Sequence, residues 1–417
     1  MMRRSLSLVG AALTVLGAVM EAHAVSHLEA TAQLQGDGRT PAFYSWNGPV
    51  PAAPGKLLRS EPVELPLLIP GAARGLRILY SSTDGVGDKA RTVVSGDLFF
   101  PAGEAPAGGW PLVAWAHGTV GLDDICAPSL QGRSFRDVTY LSHWLSAGYA
   151  LVATDYQGLG TPGPHPYLNA RPEAYSLLDA IRAVQGRFHE LAQKVVIVGQ
   201  SQGGHAAFAA ATYKAAYAPE LDLRGTVATG TPYISAPESL LGSDAQWQGG
   251  EDDTIYYRLY LLLMAQQTGP EIDLSTVLTP LGRQLFEQAR AVCNTRLEFD
   301  TEGAQLTRAN AFRPGALVRT LRALGPRFAY PTLKAGQPVF LGIGARDEEV
   351  PAAGQLQLAK LACAAGTTME VHLYPEATHG QTVNLSLQDS LPFVRRVMAG
   401  EPVAGNCDAL PPTNPPK

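Results

Sequence analysis

The 417-residue sequence predicts an α/β fold with a mostly parallel, doubly wound sheet, and three observations carry that expectation. Short apolar runs alternate with helix-patterned segments from residue 76 onward, the rhythm of parallel strands joined by crossover helices. Several runs are apolar at every position, as strands covered on both faces require. Apolar residues make up 46% of the chain and charged residues 17%, which supports a large buried core and argues against disorder.

Strands are expected at 76–80, 92–100, 111–116, 150–154, 195–198, 225–229, 339–343 and 369–374. Helices are expected between them at 140–147, 173–185, 202–217, 352–364 and 387–398. The rhythm breaks between the sixth and seventh of these strands. Residues 234–332 carry helical patterns at 254–267, 279–292 and 315–324 and no strand pattern, which reads as a helical cap inserted into the core. The apolar run at 255–264 is shorter than the roughly 20 residues that a bilayer span needs. It is expected either to pack inside the cap or to line an acyl pocket beneath it.

Arg3 and Arg4, an apolar stretch from Leu6 to Met20 and the small-residue site Ala22-His23-Ala24 read as an export signal over 1–24, with a mature chain from near Val25. The Pro- and Gly-rich segment 25–75 lacks periodicity and is expected to wrap the surface. The core then occupies 76–233 and 333–400, interrupted by the cap at 234–332. Residues 401–417 form a tail that frays in its Pro-rich end. A secreted or periplasmic chain meets an oxidising compartment, so Cys126, Cys293, Cys363 and Cys407 are expected to form two disulfides. Sequence alone leaves three pairings open.

The chemistry centres on residues 194–204. An apolar strand runs into Gly199-Gln200-Ser201-Gln202-Gly203, and an Ala-rich helix follows. That is the context of a nucleophile elbow, in which glycines flank a serine held on a tight strand-to-helix turn. A serine hydroxyl is a poor nucleophile without a base, and the base needs an orienting carboxylate. In an α/β-hydrolase fold these partners follow in the order Ser, Asp/Glu, His. Asp347 lies just past the strand at 339–343, and His379 lies in the loop after the last strand. Asp347 is therefore assigned as orienter and His379 as general base and then general acid. Glu348 and Glu349 sit further into the loop, His372 lies inside a strand pattern, and His205 is expected to pack behind the sheet. None of them is placed in the triad.

An oxyanion needs two backbone donors. One is the N–H of Gln202, at the start of the helix after the serine. The other is expected from Gly118 or Thr119, where the strand at 111–116 ends in His117-Gly118-Thr119-Val120-Gly121.

Four blocks give the chain a family likeness: His117-Gly118-Thr119 with Cys126-Ala127-Pro128-Ser129; Asp155-Tyr156-Gln157-Gly158-Leu159-Gly160 with Tyr167-Leu168; the elbow around Ser201; and Asp347 with His379-Gly380. The sequence resembles the secretory lipase family. That resemblance implies an α/β-hydrolase core, a helical cap over the acyl site, and esterase or lipase activity without a cofactor. It also implies the pairings Cys126–Cys293 and Cys363–Cys407. A well-known member has Tyr-Asp-Ser where this chain has His117-Gly118-Thr119, so a side-chain contribution to the oxyanion site is not carried over. Asp155 is expected to shape the core beside the site rather than to act in catalysis.

The expected function is carboxylic-ester hydrolysis through an acyl-enzyme on Ser201. Acyl transfer or amide hydrolysis could run on the same triad, and a non-catalytic binding protein is the reading from another class. No metal is expected, because His-Glu-x-x-His is absent and acidic clusters such as Asp123-Asp124 and Glu251-Asp252-Asp253 usually solvate loops. The expected partner is a small-molecule or lipid ester, met by a monomer with transient lipid contact through the cap. A net charge of −5 and no long basic cluster speak against nucleic acid.

Overall fold

The computed structural model describes residues 40–87, 90–234 and 252–410. The expected leader at 1–24, Glu251 and the terminal 411–417 lie outside them.

Nine strands form one sheet: β1 (Leu57–Pro62), β2 (Ala72–Thr83), β3 (Arg91–Pro101), β4 (Trp110–Ala116), β5 (Ala150–Thr154), β6 (Leu191–Gln200), β7 (Asp222–Thr229), β8 (Val339–Gly344) and β9 (Met369–Tyr374). Their order is β1-β2-β3-β5-β4-β6-β7-β8-β9. The pairs from β1 to β5 are antiparallel, and β5, β4, β6, β7, β8 and β9 run parallel.

The longer helices among the described residues are α1 (Phe135–Ser146), α2 (Ala170–Gln185), α3 (Gln202–Tyr217), α4 (Ile255–Thr268), α5 (Pro280–Gln288), α6 (Asn294–Gly303), α7 (Ala316–Arg322), α8 (Ala352–Ala364), α9 (His379–Leu385) and α10 (Leu387–Ala399). Successive strand residues point to opposite faces, and the central strands show it. Leu112, Ala114, Val195 and Ile197 pack with Leu177, Ile181, Ala206 and Ala210 of α2 and α3. Val113, Trp115, Val196 and Val198 pack with Tyr140 and Trp144 of α1 and with Phe393 and Val394 of α10. Both faces being covered explains why these strands read as unbroken apolar runs.

The structure departs from the sequence expectation in two places. The segment 25–75 was expected to wrap the surface, yet its residues 57–62 form β1, which pairs antiparallel with β2. Phe43 and Tyr44, in the same segment, are buried. His379 was expected in a loop and instead opens α9, behind a Thr378–Gln381 capping box. Within the expected helical cap, residues 294–303 form one further helix, α6.

Between β7 and β8 the described chain is helical, apart from one isolated bridge between Leu278 and Phe312. Its helices bury their own apolar cluster, with Leu259, Leu262, Phe286, Leu297, Leu321 and Phe328 among its members. The run at 255–264 packs inside the insert and also borders a cavity. Leu259, Leu262 and Leu263 lie in that cluster, while Tyr257, Arg258 and Leu261 line a cavity beside Ser201.

Two disulfides join Cys126 to Cys293 and Cys363 to Cys407. The first ties the segment after β4 to the residue preceding α6. The second ties α8 to the chain that follows α10.

Candidate active site

Ser201 stands between the end of β6 and the start of α3 with φ 58° and ψ −122°. A positive φ is uncommon for a side-chain-bearing residue and is usually held by its surroundings. Here the surroundings are tight. A Cβ on Gly203 would lie 1.8 Å from the Ala116 carbonyl oxygen, and one on Gly199 would lie 2.0 Å from the Gly203 oxygen. Only glycine lets α3 approach β4 and β6 this closely. The Ser201 N–H donates to the Thr229 carbonyl at 2.9 Å, which ties the turn to β7.

Asp347 and His379 come together beside this turn. Asp347 Oδ1 accepts from the Val350 N–H at 2.7 Å, and Oδ2 accepts from Gln355 Nε2 at 3.1 Å. The His379 Nδ1–H donates to the same Oδ2 at 2.8 Å. Both side chains are buried. Burial alone would push the His379 imidazolium down in pKa. The Asp347 hydrogen bond and charge, helped by Glu349, more than offset it and hold His379 above the ordinary histidine value. Gly230, at φ 55°, clears the imidazole's flank: a Cβ there would lie 2.7 Å from His379 Cε1.

With Nδ1 protonated, His379 Nε2 is an acceptor, and the amide of Gln200 donates to it at 3.0 Å. Glu349 Oε2 lies 3.9 Å from the same nitrogen. Sequence reasoning missed both contacts. Gln200 was only a variable position of the elbow, and Glu349 only a neighbour of Asp347.

Gly118 stands directly against the elbow, since a Cβ on it would lie 3.5 Å from Ser201 Cβ and 2.7 Å from Gln200 Oε1. The Thr119 hydroxyl is 2.8 Å from the Tyr167 hydroxyl. His117 turns its Nδ1 to the Gly118 carbonyl at 2.7 Å, and burial lowers it to about 4, so the ring is neutral at pH 7. Gln202 opens α3, and its amide is held by buried groups. Of the histidines left out of the triad, His205 is buried against Glu173, and His372 stacks on Phe340. Asp155 accepts from Ser95 Oγ at 2.6 Å and from the Ser129 N–H at 3.0 Å, within the core.

Two cavities meet at Ser201. One, of about 360 Å³, is lined by Tyr167, Leu168, Gln202, Tyr233, Ile234 and Leu261 among others. The other, of about 670 Å³, includes Gly118, Thr119, Arg136, Asn294, Glu298 and His379. Tyr257 and Glu349 line both, and the Tyr257 hydroxyl donates to Glu349 Oε2 at 2.6 Å. This pair forms a bar across the site. Among the described residues no cluster of His, Cys, Asp and Glu is placed to hold a metal. Asp252, expected to solvate a loop, is buried and paired with Arg308 at 2.7 Å.

Residues 133–237 match the model of the secretory lipase family. Among curated relatives, a probable inactive lipase of Mycobacterium tuberculosis is 30% identical over 266 residues, covering 60% of this chain. A secreted triacylglycerol lipase of Malassezia furfur is 27% identical over 293 residues, covering 65%. The chain is similar to the secretory lipases. It spans 56% of the length of each of these two proteins. Candida antarctica lipase A in its closed state superposes with a TM-score of 0.65 at 21% identity, over 84% of both chains. That likeness shows the α/β-hydrolase fold.

Proposed function

We propose that the chain is a secreted serine carboxylic-ester hydrolase. One observation carries the reading: a serine held at positive φ on a strand-to-helix turn stands beside a buried histidine whose Nδ1–H is held by a buried aspartate at 2.8 Å. Ser201 attacks the acyl carbonyl and passes its proton to His379 Nε2, and Asp347 holds the ring in the tautomer that leaves Nε2 free to accept. The Gln200 amide has to release that nitrogen first. The tetrahedral oxyanion lies against the N–H groups of Gln202 and of Gly118 or Thr119, which are fixed before charge develops. His379 then protonates the leaving alcohol, and water, deprotonated by the same nitrogen, releases the acid. The chain's own groups suffice for this sequence, without a metal or organic cofactor.

One relative's name calls it inactive; here the Asp347–His379 hydrogen bond beside the Ser201 turn supports an active enzyme. The helical insert acts as a cap over Ser201, since Tyr257 and Leu261 line the cavities there. Two disulfides fit an extracellular location.

Ser201→Ala tests the reading. Turnover of a soluble p-nitrophenyl ester is expected to fall by about 10⁴-fold or more, as when a triad member is removed. Unchanged turnover would sink it.

A further inference from the structure

Glu173 is a buried acid on the first turn of α2 that the proposed reaction does not use. Its Oε1 accepts two hydrogen bonds, from the Leu168 N–H at 2.9 Å and from Gln202 Nε2 at 2.8 Å. Its Oε2 faces His205 Nδ1 at 3.1 Å. His205 Nε2 lies 3.0 Å from the Phe328 carbonyl oxygen, which can only accept, so that nitrogen carries a proton. The Oε2···Nδ1 line must hold another, because two bare lone pairs would otherwise face each other. The Gln202 amide sends its other hydrogen to His165 Nε2 at 2.9 Å, and His165 Nδ1–H donates to the Gln157 carbonyl at 2.9 Å. Burial lowers His165 to about 3, which leaves it neutral and able to accept.

The geometry of this cluster bears on the site. Gln202 is the residue after Ser201, and its backbone N–H is the proposed oxyanion donor. Leu168 has φ 55°, so the two residues that Glu173 Oε1 ties are one in the left-handed region and one that follows another there. Both line the cavity beside Ser201. Tyr167, adjacent to Leu168, meets Thr119 of the oxyanion segment.

We propose that Glu173 is a positioning residue for the oxyanion site: through one carboxylate oxygen it locks the Gln202 side chain and the Leu168 backbone, and so fixes the direction of the Gln202 N–H and the facing cavity wall. This rests on the ester-hydrolase reading above. The proton shared between Oε2 and His205 Nδ1 leaves Oε1 free to accept twice. Oxyanion stabilisation depends on donors aimed in advance at the developing charge, so loosening Gln202 acts on the transition state more than on substrate binding.

The test compares full-length wild type, Glu173→Leu and Glu173→Gln on a p-nitrophenyl ester, each normalised by active-site titration so that lost folded enzyme does not count. Glu173→Leu is expected to lower kcat about tenfold or more with KM within about twofold, a smaller loss than that of an oxyanion donor itself. Glu173→Gln recovers most of that loss, because its Oε1 accepts from Leu168 and Gln202 while its Nε2–H replaces the shared proton. An alkylboronic acid that bonds Ser201 should weaken against Glu173→Leu by the same factor as kcat/KM. If Glu173→Leu does not fold, Gln202→Met carries the test. It keeps the backbone N–H, removes the tether, and is expected to show the same loss confined to kcat. A kcat equal to wild type in the tested Leu or Met variant, or a Gln variant as impaired as Leu, overturns the proposal. Ser201→Ala run alongside separates the cases: if it is dead while Glu173→Leu is unimpaired, only this inference fails; if it stays active, the ester-hydrolase reading fails with it.

Discussion

Ser201 occupies a backbone conformation that most residues avoid, and the glycines around it make that possible. Gly199 and Gly203 face backbone atoms, which cannot swing aside as a side chain can. Gly203→Ala is therefore expected to destabilise at the upper end of the range for overpacking, about 3 kcal/mol, seen as a lower denaturant midpoint. The charge state of His379 sets a second expectation. A general base works only when neutral, and the Asp347 contact holds His379 above its ordinary value despite burial. The acid limb of kcat/KM should therefore lie above the unperturbed histidine value of about 6.5, with activity rising as pH rises through it. Glu349 also favours the charged ring, from 3.9 Å. Glu349→Gln should move that limb to lower pH, checked by a pH–rate profile; a limb that stays put would show that Glu349 does not act on His379. The proposed triad residues, Ser201, Asp347 and His379, stood out because each follows a recognisable apolar strand. Gln200 and Glu173 were not, because their importance comes from what the fold brings against them. The Gln200 amide reaches His379, 179 positions away, and no local pattern reports that.

At the scale of elements, the central strands were readable and the edge was not. β8, and β4 and β6 from Leu112 and Val195 onward, are buried on both faces and so appear as apolar runs. β1, Leu-Leu-Arg-Ser-Glu-Pro, is half-buried to exposed along its length, pairs on one side only, and offers neither alternation nor a run. α9 did have a local signal, since Thr378-His379-Gly380-Gln381 is a capping box. Its brevity hid it among loop residues. The disulfides differ in what they connect, and that gives a prediction. Cys126–Cys293 joins the neighbourhood of Gly121 and the proposed oxyanion segment to the helical insert; Cys363–Cys407 joins parts remote from Ser201. Replacing the first pair by serine is expected to lower ester turnover as well as stability. Replacing the second should lower stability alone, by about 4 kcal/mol on the chain-entropy estimate for a 44-residue separation. Parallel kcat and denaturation measurements on the two double variants check this.

The whole molecule sets a boundary on substrate choice. Two cavities open from Ser201 on either side of the Tyr257–Glu349 bar, and the smaller has Leu168, Ile234 and Leu261 in its wall. An acyl chain is expected to lie against these apolar side chains and the alcohol in the other cavity. Tyr257→Ala removes half of the bar and should raise the relative rate on longer acyl esters in a series from acetate to palmitate. An unchanged chain-length profile would show that the bar does not select. The central claim remains that Ser201 is the acylated nucleophile. The most direct measurement is to inactivate the protein with a p-nitrophenyl alkylphosphonate, count the p-nitrophenol released, and locate the adduct by peptide mass spectrometry. The account predicts one equivalent released, the label on Ser201, and no label in Ser201→Ala. A label on another residue, or none while ester turnover continues, would contradict it.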